Sequence, residues 1–187
     1  MQPPVPAGLL PEHAAQLQAW LPPGGSPSPG AWEKVYRATT HGFDAAAFHA
    51  RCDGRMRLLV LVQTREEGWL FGGFTAVGFS LPRDSENEDG WYADPSAFLF
   101  SLTNSLGHPE KLESKGTGED LWYQPGKAAS FGPYPCDLCI CGNADTEANS
   151  YTNTGGAYAE SASTGTHPMG RHSQLGWLAA EVMAWVV

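Results

Sequence analysis

Residues 57–80 constrain the fold of this chain more than any other stretch. R-L-L-V-L-V-Q-T leads through a turn at Glu66-Glu67-Gly68 into W-L-F-G-G-F-T-A-V-G-F-S. Two apolar runs joined by a short polar turn read as a β-hairpin. Neither run alternates cleanly between polar and apolar residues, which predicts strands covered on both faces. The glycines in the second run then need a reason, because glycine weakens a strand. A phosphate cradle would set its glycines between a strand and a helix start, and no helix pattern follows. A crowded sheet answers better: Gly72 and Gly73 let Trp69, Phe71, Phe74 and Phe79 pack while the strand bends or bulges.

The remaining patterns supply a frame for this hairpin. Leu10, Ala14, Leu17 and Leu21 fall at helical spacing behind Pro11, a favoured first helical residue. Pro22-Pro23-Gly24-Gly25 stops that helix, so residues 1–30 are read as a helix and Pro/Gly-rich linker tethered to a main body at 31–187. Trp32 to Thr39 is an expected edge strand. Asp44 N-caps a second helix through A-A-A-F-H-A-R-C, and Gly54 suits the left-handed position past its end. On it Ala45, Phe48 and Cys52 share one face, with His49 and Asp53 on a neighbouring stripe. A-F-L-F-S-L-T is a central strand ended by Leu106-Gly107-His108-Pro109, and Leu121–Gln124 and Asp137–Cys141 are short strands. Residues 82–90 form an acidic loop. Residues 143–166, nearly free of large aliphatics, read as a long surface loop. Leu175–Val187 is apolar enough for a closing strand. Strands dominate, so the expected class is α+β, mainly β: a two-sheet antiparallel β-sandwich with short flanking helices.

Composition narrows function. Acids outnumber bases 20 to 11 in 187 residues. The resulting charge of −9 argues against non-specific nucleic-acid or anionic-membrane binding. Leu58–Val62, the longest aliphatic run, is too short to cross a bilayer. M-Q-P-P-V-P-A-G-L-L lacks the basic start of a targeting peptide. Four cysteines without an export signal are expected to stay reduced, in a cytoplasmic compartment, with nucleus and mitochondrion also open. A segment of a longer product is the other reading.

The order of blocks is more specific than any of them alone. H-G-F-D-A-A-A-F-H-A-R-C-D-G, G-W-L-F-G-G-F-T, D-P-S-A-F-L-F-S-L, the F-G at Phe131 and the D-L-C-I at Asp137 together resemble the TLDc domain family. The similarity runs from about Leu9 to the end, where E-V-M-A-W-V resembles the family's closing strand. Its motif positions are His49, Cys52, Asp53, Gly54, Gly72, Gly73, Asp94, Phe98, Phe100, Phe131, Gly132, Asp137 and Glu181. The resemblance implies a β-sandwich and a role in oxidative-stress responses. It also implies protein partners, among them subunits of the vacuolar proton-pumping ATPase. No catalytic, cofactor or metal residues come with it. Cys136 departs from the pattern, standing where the family more usually has glycine.

Three clusters invite chemistry. His49 beside Cys52 could lower the thiol pKa and make it react with peroxide. Against that, Cys52 sits on the apolar face with Phe48, where thiols are inert packing, and His49 and Asp53 can tie the helix to a strand. C-x-x-C-x-C at Cys136, Cys139 and Cys141 suggests zinc but lacks a partner pair. Cys139 and Cys141 would face the same way, about 7 Å apart. Asp145, Glu147 and Asn149 begin like a calcium loop, yet Ser150 and Gly156 occupy its glycine and glutamate positions. The expected function is therefore a non-catalytic, protein-binding domain. A thiol-based antioxidant enzyme using Cys52 or the Cys136, Cys139 and Cys141 cluster is the alternative. Trp69, Trp185 and Trp91 are read as core, with Trp91 a weaker interaction candidate.

Overall fold

A computed structural model describes residues 9–25, 28–79, 90–160 and 176–187. Two antiparallel sheets face each other. The first has six strands in the order β1 (Glu33–Arg37), β11 (Ala179–Val186), β2 (Leu58–Thr64), β3 (Leu70–Thr75), β5 (Phe98–Ser101) and β6 (Glu110–Glu113). The second has five, ordered β10 (Tyr151–Thr152), β9 (Leu138–Cys141), β8 (Lys127–Phe131), β7 (Leu121–Tyr123) and β4 (Gly90–Tyr92). Helices α1 (Pro11–Trp20), α2 (Ala38–His41) and α3 (Ala45–Cys52) flank them. The architecture is the expected mainly β sandwich.

The hairpin's missing alternation has a direct cause. Leu58, Val60 and Val62 face the space between the sheets, packed with Phe71, Leu99, Leu121, Phe131, Leu138 and Ile140. Leu59 and Leu61 face the other way into a second core with Phe74, Phe98, Phe100, Met183 and Trp185. That outer core is closed by Ala14 and Leu17 of α1 and by Trp32. Each fully buried Leu or Phe contributes about 1.5–3 kcal/mol, so α1 is held by the same force as the strands. Helix α3 packs against β1 and β8, bridging the two sheets, with Phe48 edge-on to Tyr36 and Phe79.

The glycines of β3 do not bulge the strand. Its register runs unbroken from Leu58↔Thr75 to Gln63↔Leu70 on one side, and from Phe71↔Ser101 to Phe74↔Phe98 on the other. They supply clearance instead. A Cβ at Gly72 would strike the carbonyl oxygen of Val60, and one at Gly73 would lie 2.6–2.9 Å from the Phe131 ring of the opposite sheet. Register shifts occur elsewhere, in the β1–β11, β11–β2 and β8–β9 pairings.

Other expectations also change. The strand from Trp32 ends at Arg37, because the Glu181 carboxylate takes the Thr39 amide at 3.1 Å and turns the chain into α2. Strands β4, β6, β8 and β10 were not anticipated: short, polar or alanine-rich, they offer little periodicity. Residues 143–160 are no free surface loop, since they hold β10 and bury Ala144, Ser150, Thr154, Ala157 and Tyr158. Trp91 is 49% exposed rather than core. The acidic loop over residues 82–89 and residues 161–166 of the expected surface loop lie outside the described residues. Among the described residues no helix is long and apolar enough to cross a membrane.

We expect Gly73→Ala to lower unfolding stability by about 1–3 kcal/mol in urea titration, since the Phe131 ring must move or the sheets part. A native-like midpoint would show that the sheets do not meet there.

Candidate functional site

Helix α3 carries the most chemical-looking residues, and their geometry is that of a clamp. Asp44 caps its start by accepting the Ala47 amide at 2.8 Å. Gly54 follows its end at φ +72°, and its amide meets the Phe79 carbonyl at 3.3 Å. His49 Nδ1 lies 2.7 Å from Asp53 Oδ1, and its Nε2 lies 2.7 Å from the Lys127 carbonyl of the second sheet. Tyr123 donates to the other Asp53 oxygen at 3.3 Å. Neither oxygen partner of His49 can donate, so the doubly protonated ring is the form that satisfies both contacts. Burial alone would lower the His49 pKa, but Asp53 and the Lys127 carbonyl raise it overall. Cys52 is fully buried in the inter-sheet core, and burial pushes its thiol up to about 12. The thiolate is thereby disfavoured rather than activated.

The acidic motif residues hold loops. Asp137, fully buried, accepts backbone N–H groups from Gly155, Gly156, Ala157 and Tyr158 at 2.9–3.3 Å. Burial pushes its carboxyl up, while those four amides pull it down. Gly132, at φ +87°, stands against it with no room for a side chain. Asp94 accepts from Thr75 Oγ1 at 2.8 Å and from the Ala76 amide at 2.6 Å, and its own amide donates to Asp120 at 2.9 Å. Glu181 takes Arg37 Nε at 2.8 Å. Burial would raise Glu181, yet its bonds from Thr39 and Arg37 hold it below the ordinary carboxylate value. Phe98 and Phe100 lie in the outer core, and Phe131 seals Gly73 in the inner one.

The cysteine cluster occupies the outward face of the five-stranded sheet. Tyr151 pairs with Cys139, Cys139 with Ser130, and Trp91 with Trp122, so aromatic residues on the outer strands flank small ones on the middle strands. A trough results, about 600 Å³, lined by Trp122, Gln124, Lys127, Tyr134, Tyr151 and Asn153 among others. Trp91 stacks on Trp122 (5.7 Å, 15°), and Tyr134, 73% exposed, meets Trp122 edge-on at 5.9 Å. The thiols of Cys139 and Cys141 are 3.8 Å apart, closer than strand rise alone suggests, and Lys127 Nζ donates to Cys141 at 3.1 Å. Hydrogen bonding with Cys139 pulls the Cys136 thiol down and pushes Cys139 up to about 11. All four cysteines are free and buried. No group of three or more potential ligands among the described residues could hold a metal ion.

Sequence reasoning singled out the cysteines but missed the trough over them. Its walls include Gln124, Lys127 and Tyr134, which no motif marks. The signal was large–small–small–large across paired strands, visible only once register is known.

Residues 9–172 match the family model described as the TLDc domain. The match ends before β11. No curated protein matches the chain.

Two measurements check the clamp and the loop anchor. His49 has its pKa raised by folding, so its stabilising contribution is full below its unfolded value of about 6.5 and is lost as pH rises through the folded value. Urea stability should therefore fall between pH 6 and pH 9 by more in the native chain than in His49→Gln; equal slopes would remove the clamp. Asp137→Ala strands four backbone donors at about 1–3 kcal/mol each, less whatever water re-satisfies. Its expected outcome is loss of at least about 3 kcal/mol, read from the unfolding midpoint.

Proposed function

The chain belongs to the TLDc domain family, and on that premise we propose that it is a non-catalytic protein-binding domain of the oxidative-stress response. Its partner is the vacuolar proton-pumping ATPase, met in the cytoplasm, and its effect is regulatory. What supports the non-catalytic reading is how the reactive groups are used. His49 spends both ring nitrogens on Asp53 and a carbonyl, Cys52 is sealed with a raised pKa, and Asp137 is capped by four amides. A catalyst needs such groups converging on a space where substrate fits. Here they point into the protein.

One observation favours a second reading. The Cys136 thiol is held down beside Cys139, and Lys127 reaches Cys141, an arrangement that suits a thiol-based antioxidant. Cys52 has no such support.

Capture assays with the pump's catalytic sector are expected to retain the folded chain; failure by a sample with native unfolding behaviour would remove the pump as partner. A variant with all four cysteines replaced should still protect peroxide-stressed cells. Loss of protection with the fold intact would favour the thiol reading.

A further inference from the structure

The trough on the five-stranded sheet carries two polar atoms that the fold leaves without a partner. Trp122, only 8% exposed, buries its indole Nε1–H with no acceptor, and Gln124 buries its Oε1 with no donor. Both residues line the trough. Buried polar groups are almost always bonded, so two orphans in one wall mark a place where a ligand supplies what the chain does not. The unpaired N–H and the unpaired oxygen ask of that ligand one acceptor and one donor near each other.

Charge narrows it further. Among the described residues no carboxylate lines the trough, and the cation that does, Lys127, donates to Cys141. A cationic ligand would therefore find no counter-charge in it. Its volume of about 600 Å³ lies in the usual range for specific sites. Exposed Trp91 and Tyr134 stand beside Trp122 as ridges. Aromatic ridges with an indole N–H between them suit a polyproline II segment, whose pyrrolidine rings pack on aromatic faces and whose carbonyls accept.

We propose that this trough binds an extended, proline-containing peptide, Trp122 donating to a peptide carbonyl and Gln124 accepting from an amide beside the prolines. Solvent reaches neither atom in this structure, so binding includes a movement of the trough wall that uncovers them. The proposal rests on the protein-binding reading and specifies where on the surface, and to what chemistry, that binding occurs.

The test pans a random-peptide phage library on the whole chain and titrates synthetic versions of the enriched sequences. Proline-containing peptides should be enriched. Trp122→Phe and Gln124→Ala should each weaken them about tenfold, the loss of one hydrogen bond. Tyr134→Ala, at a site too exposed to threaten folding, should weaken them as much or more, and Met56→Ser on another exposed surface should change nothing. Enrichment of peptides without proline, no enrichment, or affinities unaffected by Tyr134→Ala would overturn the proposal. So would a glycan-array signal that disappears in Tyr134→Ala. Because the probes are synthetic peptides, their failure alongside successful pump capture would discard the trough and keep a protein-binding domain acting through another face.

Discussion

The contact between Phe131 and Gly73 is the point on which the two layers register. Phe131 comes from β8 of one sheet and stands over a residue of β3 that has no side chain to displace it. Close-packed interiors tolerate little change of volume, so the ring fixes how near the sheets come and which rows of side chains interleave. Phe79 and Tyr158 then pack edge-on around the same ring. Helix α3 depends on this arrangement, because Phe48 reaches Phe79 from across the open side of the sandwich.

Where regular pairing stops, buried carboxylates replace it. Asp137 gathers the amides of residues 155–158, and Asp94 and Asp120 hold the turn after β3 to the start of β5 and the strand before β8. Backbone donors in such loops would otherwise be buried without acceptors, and charged acceptors form the stronger hydrogen bonds. Asp94 and Asp137 are thus explained by backbone satisfaction, without appeal to chemistry on a substrate.

Much of this was legible in the residues, for identifiable reasons. The β2–β3 hairpin and its double burial followed from an uninterrupted apolar run, and α3 from its cap and helical spacing. The edge position of β1 and the closing strand β11 were also readable. The role of Gly73 was readable only in part, since crowding is a local property while the identity of the intruding ring is set 58 residues away in another sheet. Residues 143–160 read as a loop because their order comes from partners outside the segment, β9 for Tyr151 and Thr152 and Asp137 for residues 155–158, which leave no periodic trace in it. Helix α1 was visible as amphipathic, but its burial against Trp32 and Leu61 depends on an outer sheet face that needs a cover. The trough could not be read at all, being a pattern across strands rather than along one.

The position of β11 bears on how the chain is made. It lies between β1 and β2, pairing Glu33 with Val186 and Leu58 with that same residue. A nascent chain that has not yet delivered residues 179–186 from the ribosome holds two strands whose inner edges have no neighbour. Such edges recruit other chains, and contacts this distant in sequence close slowly. The period between synthesis of β2 and arrival of β11 is therefore when these two edges are most open to mispairing.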